Sequence, residues 1–323
     1  MIIIKRIGVL TSGGDAPGMN AAIRAVVRAG LHFGMEVVGI REGYKGLIEK
    51  NIMEMKYRSV SDIMAKGGTI LKTARCTEFA TPEGVLKAKK SADELGIEGL
   101  VVIGGDGSFR GARDLSNAGI PTIGIPGTID NDIACSDYTI GFDTAMNTAL
   151  ECIDKLKDTC ASHNRCSVVE VMGRHAGHIA LNVGIASGAE AIVVHERDFN
   201  LQTDIVEKIN KAIANGKKHF VVIVSELFCD SGKLAAQIEA TTGVETRATI
   251  LGHIQRGGSP TLRDRLMASV MGEKAVELLK DNIGNRVIAY KNGVTVDYDI
   301  TEALNMKKDL KEEYFSVFKV ITY

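Results

Sequence analysis

The stretch Gly99-Leu-Val-Val-Ile-Gly-Gly-Asp-Gly-Ser-Phe-Arg-Gly-Ala112 decides the fold. Residues 99–103 form a continuous apolar, largely β-branched run, the pattern of a strand buried on both faces. Glycines 104, 105 and 107 force a turn, and Phe109-Arg110-Gly111-Ala112 continues as a helix. A strand passing through glycines into a helix is the repeating unit of an open parallel α/β sheet.

The same alternation runs outward in both directions. Further strands are expected at 6–11, 36–40, 121–125, 167–171, 190–194, 219–225 and 247–252. Helices are expected near 18–31, 83–95, 143–160, 176–187, 203–214, 232–241 and 262–280. In 143–160 the residues Met146, Ala149, Leu150, Ile153, Leu156 and Cys160 follow helical spacing, with Glu151, Asp154, Lys155 and Lys157 opposite. The 323 residues suffice for about two domains, so two α/β halves are expected, with a boundary near residue 140.

Composition narrows the function. Thirty-nine basic and 40 acidic side chains leave a formal net charge of −1, which argues against nucleic acid or a membrane surface as the main partner. The N-terminal apolar run is too short for a signal peptide or a membrane span. Six cysteines without a Cys-x-x-Cys pair suggest buried free thiols in a reducing cytoplasm. Glycine is in excess, 35 of 323 or roughly 11% against an average of about 7%, and with only five prolines the excess belongs in turns.

Those turns fall after strands, where ligands of open α/β sheets bind. Thr11-Ser-Gly-Gly-Asp-Ala-Pro-Gly-Met-Asn20 is either a tight turn or an anion cradle at a helix N-terminus. Gly104-Gly-Asp-Gly-Ser108 lacks the Gly-Lys-Ser/Thr ending of a P-loop. It nevertheless sets Asp106 where it acts either as a helix cap or as a Mg²⁺ ligand beside phosphates. Pro126-Gly-Thr-Ile-Asp-Asn-Asp132 offers Asp130 and Asp132 as a general base and its neighbour. Arg165, Arg174, Arg247 and Arg256, with His253 and Glu226, gather near strand ends in the second half and suit bidentate phosphate recognition. The inventory fits phosphoryl transfer, with a nucleotide or polyphosphate on one half, a phosphorylated metabolite on the other and a carboxylate base between.

Gly-Gly-Asp-Ala-Pro-Gly-Met-Asn (13–20), Gly-Gly-Asp-Gly-Ser (104–108), Pro-Gly-Thr-Ile-Asp-Asn-Asp (126–132), Met-Gly-Arg (172–174) and Gly-His-Ile-Gln-Arg-Gly-Gly-Ser-Pro (252–260) together resemble the bacterial ATP-dependent 6-phosphofructokinase family, from about residue 6 to about 305. The resemblance implies two Rossmann-like domains with mostly parallel sheets sandwiched by helices and an active site in the cleft between them. The ATP-binding domain would be 1–141 plus about 255–305, and the fructose 6-phosphate domain 142–254 plus about 306–323.

The implied reaction moves the γ-phosphoryl group of ATP to the 1-hydroxyl of fructose 6-phosphate, a glycolytic step in the cytoplasm. By resemblance Asp130 is the base, with Thr128, Asp132 and Arg174 around the reacting centre. Gly13, Arg75, Cys76, Gly104, Gly105, Gly107 and Ser108 meet ATP, and Asp106 holds Mg²⁺. Thr128, Ile129, Met172, Gly173, Arg174, Glu226, His253 and Arg256 line the sugar-phosphate site. Arg165 and Arg247 are lent by a neighbouring subunit of a homotetramer. An effector site for ADP as activator and phosphoenolpyruvate as inhibitor is implied at Arg24, Arg28, Lys157, Glu190 and Lys217. Lys157 stands where many members have Arg, Tyr57-Arg58 reverses a frequent order, and Asn215 replaces an occasional Lys. Pyrophosphate-dependent relatives typically carry Gly-Gly-Asp-Asp-Ser and Pro-Lys-Thr-Ile-Asp-Asn-Asp. Gly107 and Gly127 here are therefore expected to leave room for ATP. A non-catalytic sugar-phosphate sensor is the alternative from another class.

Overall fold

The computed structural model describes residues 4–322. Contacts gather the chain into two units, Met1–Ile129 with Ile133–Thr144 and Arg256–Lys308, and Asp130–Asp132 with Ala145–Gln255 and Asp309–Tyr323. Residues 1–3 and 323, which close these ranges and the expected domains, lie outside the described residues.

The strands are β1 (Arg6–Thr11), β2 (Glu36–Ile40), β3 (Ile52–Met55), β4 (Gly99–Gly104), β5 (Thr122–Thr128), β6 (Ile140–Gly141), β7 (Cys166–Val171), β8 (Ala191–Val193), β9 (Phe220–Ser225), β10 (Thr246–Ile250), β11 (Arg286–Lys291) and β12 (Val294–Asp299). In the first unit they run β12-β11-β5-β4-β1-β2-β3, with β6 beside β5. Neighbours are parallel except at the two edges, where β3 and β12 pair antiparallel to β2 and β11. The second unit holds the all-parallel sheet β10-β7-β9-β8. Mostly parallel sheets with crossover helices are the architecture expected from the sequence.

Both faces of the first sheet are covered, which explains why its central strands read as unbroken apolar runs. On one face Leu10, Val38, Ile40, Leu100 and Val102 join Ala88 and Ala92 of helix Pro82–Glu94, and Ala112 and Leu115 of helix Asp106–Asn117. On the other, Gly30 of helix Met19–His32 lies against Val37 and Ile7, and Leu279 of helix Leu262–Lys280 lies against Gly99. These two helices cross closely at Gly272, where a Cβ would stand 2.6 Å from that of Ala25. The second sheet packs Val168, Val222 and Val224 against Ile205, Ile209, Leu234 and Ile238.

β5 runs three residues past the expected end at Ile125, straight through Pro126. Proline lacks an N–H and is normally excluded from sheet interiors. Here it falls between the segment paired with β11 (Ile123, Gly124) and the segment paired with β6 (Gly127, Thr128). The edge strands β3 and β12 have no sequence expectation, because their half-exposed faces break the apolar run; β11, between β12 and β5, has none either. Cys135, Cys160 and Cys166 are buried free thiols as expected, with Cys166 pushed up to about 12 by burial, whereas Cys229 is exposed. Among the described residues no helix is long and apolar enough to cross a membrane.

One fully buried carboxylate, Asp264, ties the stretch after β5 to helix Leu262–Lys280. Its Oδ1 accepts from the Tyr138 hydroxyl and from the Gly141 N–H at 2.7 Å; its Oδ2 accepts from the Thr144 N–H at 2.9 Å and the Thr144 hydroxyl at 2.5 Å. Burial nonetheless raises its pKa, outweighing the stabilising donors. Asp264→Asn offers a single acceptor to four donors, so the amide should strand at least one of them. We expect a loss of about 2–4 kcal/mol, against about 1 kcal/mol for the helix cap Thr261→Ala, measured by urea denaturation.

Candidate functional site

In the first unit the carboxyl ends of β1, β4 and β5 bring their loops together. Ser12 N–H donates to the Ile103 carbonyl at 3.0 Å, and a Cβ on Gly13, at φ 86°, would stand 3.5 Å from Ser108 Oγ. Asp106, Gly107 and Ser108 form the first turn of helix Asp106–Asn117, whose N-terminal N–H groups and dipole favour an anion. Tyr44 fixes that turn: its ring stacks on Phe79 at 3.9 Å and its hydroxyl donates to the Ser108 carbonyl at 2.5 Å. Arg75 is exposed, and Cys76 packs partly buried against the core beneath.

The glycines of this region do different jobs. At Gly104 a Cβ would collide with the Ser12 carbonyl and Ser108 Oγ, so the loops after β1 and β4 can meet only across a bare α-carbon. At Gly107 a Cβ would have no atom within 4 Å. The protein's packing does not require glycine there, and a side chain would enter open space beside the cradle. Gly127 also has a packing reason: its Cβ would stand 3.0 Å from Ile103 Cγ2 and 3.3 Å from Met19 Cε, so the core itself favours glycine there.

Around this cradle lie two further loops. Asn20, 1% exposed, accepts from Ile70 N–H at 2.8 Å and donates to the Lys66 and Gly67 carbonyls, pinning residues 66–70. Ser259 donates to the Ala65 carbonyl at 2.8 Å, drawing in the Gly257-Gly258 turn. Arg256 accompanies it: its Nη1 lies 2.8 Å from where a Gly14 Cβ would stand. Arg256, grouped by sequence with the sugar-phosphate residues, thus sits against the β1 loop of the first unit. Thr128 ends β5 and Ile129 follows it in the same unit, and the Thr128 carbonyl accepts from the Thr139 hydroxyl at 2.7 Å.

Asp130, Asn131 and Asp132 group with the second unit, Asp130 only 8% exposed and Asn131 in the left-handed region at φ 53°. There the loop after β7 is held from two sides. Glu226, at the end of β9, accepts through Oε1 from Gly173 N–H at 3.1 Å and Arg174 N–H at 2.7 Å. Gln255, fully buried, accepts from Met172 N–H at 2.8 Å. Anchored so, Arg174 keeps φ at 60° while its side chain is exposed. His253 is exposed on the turn Gly252–Arg256. Arg165, just before β7, and Arg247, on the adjacent β10, both pair with Glu245, at 2.8 Å and 2.7 Å.

The five residues of the expected effector site divide between the units. Arg24 and Arg28 share one helix, and burial with the like charge of Arg28 lowers the Arg24 pKa. In the second unit Lys217 pairs with buried Glu190, which also accepts from Val221 N–H at 2.6 Å, and Lys157 donates to the Ser187 carbonyl at 2.7 Å.

Residues 6–279 match the family model described as phosphofructokinase. The chain belongs to the phosphofructokinase family. An ATP-dependent 6-phosphofructokinase of Clostridium botulinum is 55% identical over 319 residues, covering 99% of this chain and all of that one. The Clostridium tetani enzyme of the same name is 55% identical over 320 residues. The solved phosphofructokinase of Saccharomyces cerevisiae superposes with TM-score 0.86 at 35% identity, over 98% of this chain and 46% of that one, so this chain spans about half its length. A pyrophosphate-dependent phosphofructokinase of Marinobacter aquaeolei, 20% identical, shares the fold with TM-score 0.85 over 96% of this chain and 86% of its own.

Three positioning residues carry no expectation from sequence. Asn20 and Gln255 stand inside the motif strings, where their place was the only signal. Glu245 alternates with Arg247 at i, i+2, which puts both on one strand face. The glycines give a direct test. Gly104→Ala should cost about 1–3 kcal/mol by overpacking, while Gly107→Ala, free of contacts at a helix start, should be neutral or gain up to about 1 kcal/mol. Thermal melts of the two variants compare them.

Proposed function

We propose that this chain transfers the γ-phosphoryl group of ATP to the 1-hydroxyl of fructose 6-phosphate, giving fructose 1,6-bisphosphate and ADP, as a cytoplasmic glycolytic enzyme. The observation that carries the choice of donor is Gly107, kept bare where no contact within the protein requires it. The names of the full-length relatives at 55% identity support the same reading.

Gly13, Gly104, Gly105, Gly107 and Ser108 present backbone N–H groups and a helix N-terminus to the phosphates, with Arg75 and Cys76 beside them. Asp106 suits a Mg²⁺ that also binds phosphate and water. Such an ion takes one or two carboxylates rather than an all-protein cage, and among the described residues there is no cluster of three or more metal-binding side chains. When bound, the ion neutralises charge developing on the transferred group.

Asp130 accepts the proton of the sugar 1-hydroxyl as its oxygen bonds to the γ-phosphorus and the bond to the β-bridging oxygen breaks. Thr128, Asp132 and Arg174 orient the reacting groups, with Arg174 fixed through Glu226. Ile129, Met172, Gly173, His253 and Arg256 contact the sugar phosphate. Arg165 and Arg247 bind its 6-phosphate, lent between subunits of a homotetramer. Arg24, Arg28, Lys157, Glu190 and Lys217 take ADP, which activates, and phosphoenolpyruvate, which inhibits. Lys157, Tyr57-Arg58 and Asn215 alter the strength of that response.

Purified protein with Mg-ATP and fructose 6-phosphate should form the bisphosphate, and Asp130→Ser should lower kcat by about 10³-fold or more with substrate binding largely kept. Turnover with pyrophosphate alone would overturn the donor, and no turnover with either donor would favour a sensor. In the same assay Arg24→Ala should lose the response to ADP; an unchanged response would remove the effector assignment.

A further inference from the structure

Glu245 immediately precedes β10, and its carbonyl accepts from Cys166 N–H at 2.9 Å, so it stands across the ladder from Arg165. Arg247 lies two residues on, on the same strand face. The carboxylate therefore spans two guanidiniums, Oε2 to Arg165 and Oε1 to Arg247. An ordinary cross-strand ion pair would need one of them. The trio is reachable from solvent, with the side chains of Arg165, Glu245 and Arg247 33%, 37% and 70% exposed. Two arginines converging on one anionic group make the arrangement that binds a phosphate, and here the anionic group is internal.

We infer that Glu245 is an internal stand-in for the sugar phosphate, holding Arg165 and Arg247 in its absence and yielding them when the phosphate arrives. The inference rests on the assignment of those two arginines to the 6-phosphate made above. Arg165, with Arg247 contributing less, also holds the Glu245 carboxyl below its usual range, against an opposing effect of burial. The carboxylate thus stays charged at neutral pH and competes with the incoming dianion. Glu245 is a specificity-determining positioning residue: a weakly charged or uncharged sugar cannot displace it, whereas a phosphate dianion can. No bond is made or broken in this exchange.

Calorimetric titration of fructose 6-phosphate into wild type, Glu245→Gln and Glu245→Asp tests it. The neutral, isosteric glutamine should bind the sugar phosphate about threefold to tenfold more tightly, and KM for fructose 6-phosphate should fall in parallel while KM for ATP does not. Aspartate keeps the charge and should restore affinity to within about twofold of wild type. Equal or weaker binding by Glu245→Gln overturns the inference, as does an aspartate variant that binds as tightly as glutamine. Turnover of the sugar phosphate by wild type is read separately. If wild type turns over while Glu245→Gln gains nothing, only the stand-in falls; if wild type neither binds nor turns over the sugar phosphate, the assigned function falls with it.

Discussion

The first unit is organised by a crowding constraint. β1, β4 and β5 are parallel and adjacent, so their loops leave the sheet at the same edge and must share one space. At Gly104 the Ser12 carbonyl and Ser108 Oγ press against the α-carbon, and only hydrogen fits between. That close approach turns backbone N–H groups and a helix N-terminus toward a common point. The rest of the region serves the same packing: Tyr44 and Phe79 brace the helix turn, and Asn20 pins the neighbouring loop.

The second unit solves a different problem, the orientation of long side chains. Its loops are held by side-chain acceptors that continue where the ladders stop. Gln255 takes the Met172 N–H just beyond the last β7–β10 bond, and Glu226 takes the next two. A loop so tethered presents Arg174 at a left-handed φ that it would otherwise rarely hold. Glu245 does the same for a pair of arginines through charge rather than backbone.

Much of this was legible in the sequence for a physical reason. Central parallel strands are buried on both faces, so Gly99–Ile103 and Phe220–Ser225 read as unbroken apolar runs, and glycines mark where they end. The edge strands β3 and β12 were hidden because half-exposed faces carry Glu54, Asp297 and Asp299. The motif strings gave residue types and chain order, but not partners. Gly127 and Arg256 show the limit: one glycine read as ligand room also packs on Ile103, and one arginine of the sugar-phosphate group lies against Gly14. Asp264 was invisible, since a buried carboxylate with four donors looks in sequence like any charge at a helix start.

The central claim is that an open position at Gly107, unused by the fold, admits the nucleotide. Mg-ATP kinetics of Gly107→Asp measure it most directly. The carboxylate should lower kcat/KM for ATP by about 100-fold or more without lowering the melting temperature, because the Cβ that carries it has no protein atom within 4 Å. An aspartate variant that uses ATP as well as wild type, or that loses activity only by unfolding, would contradict the account.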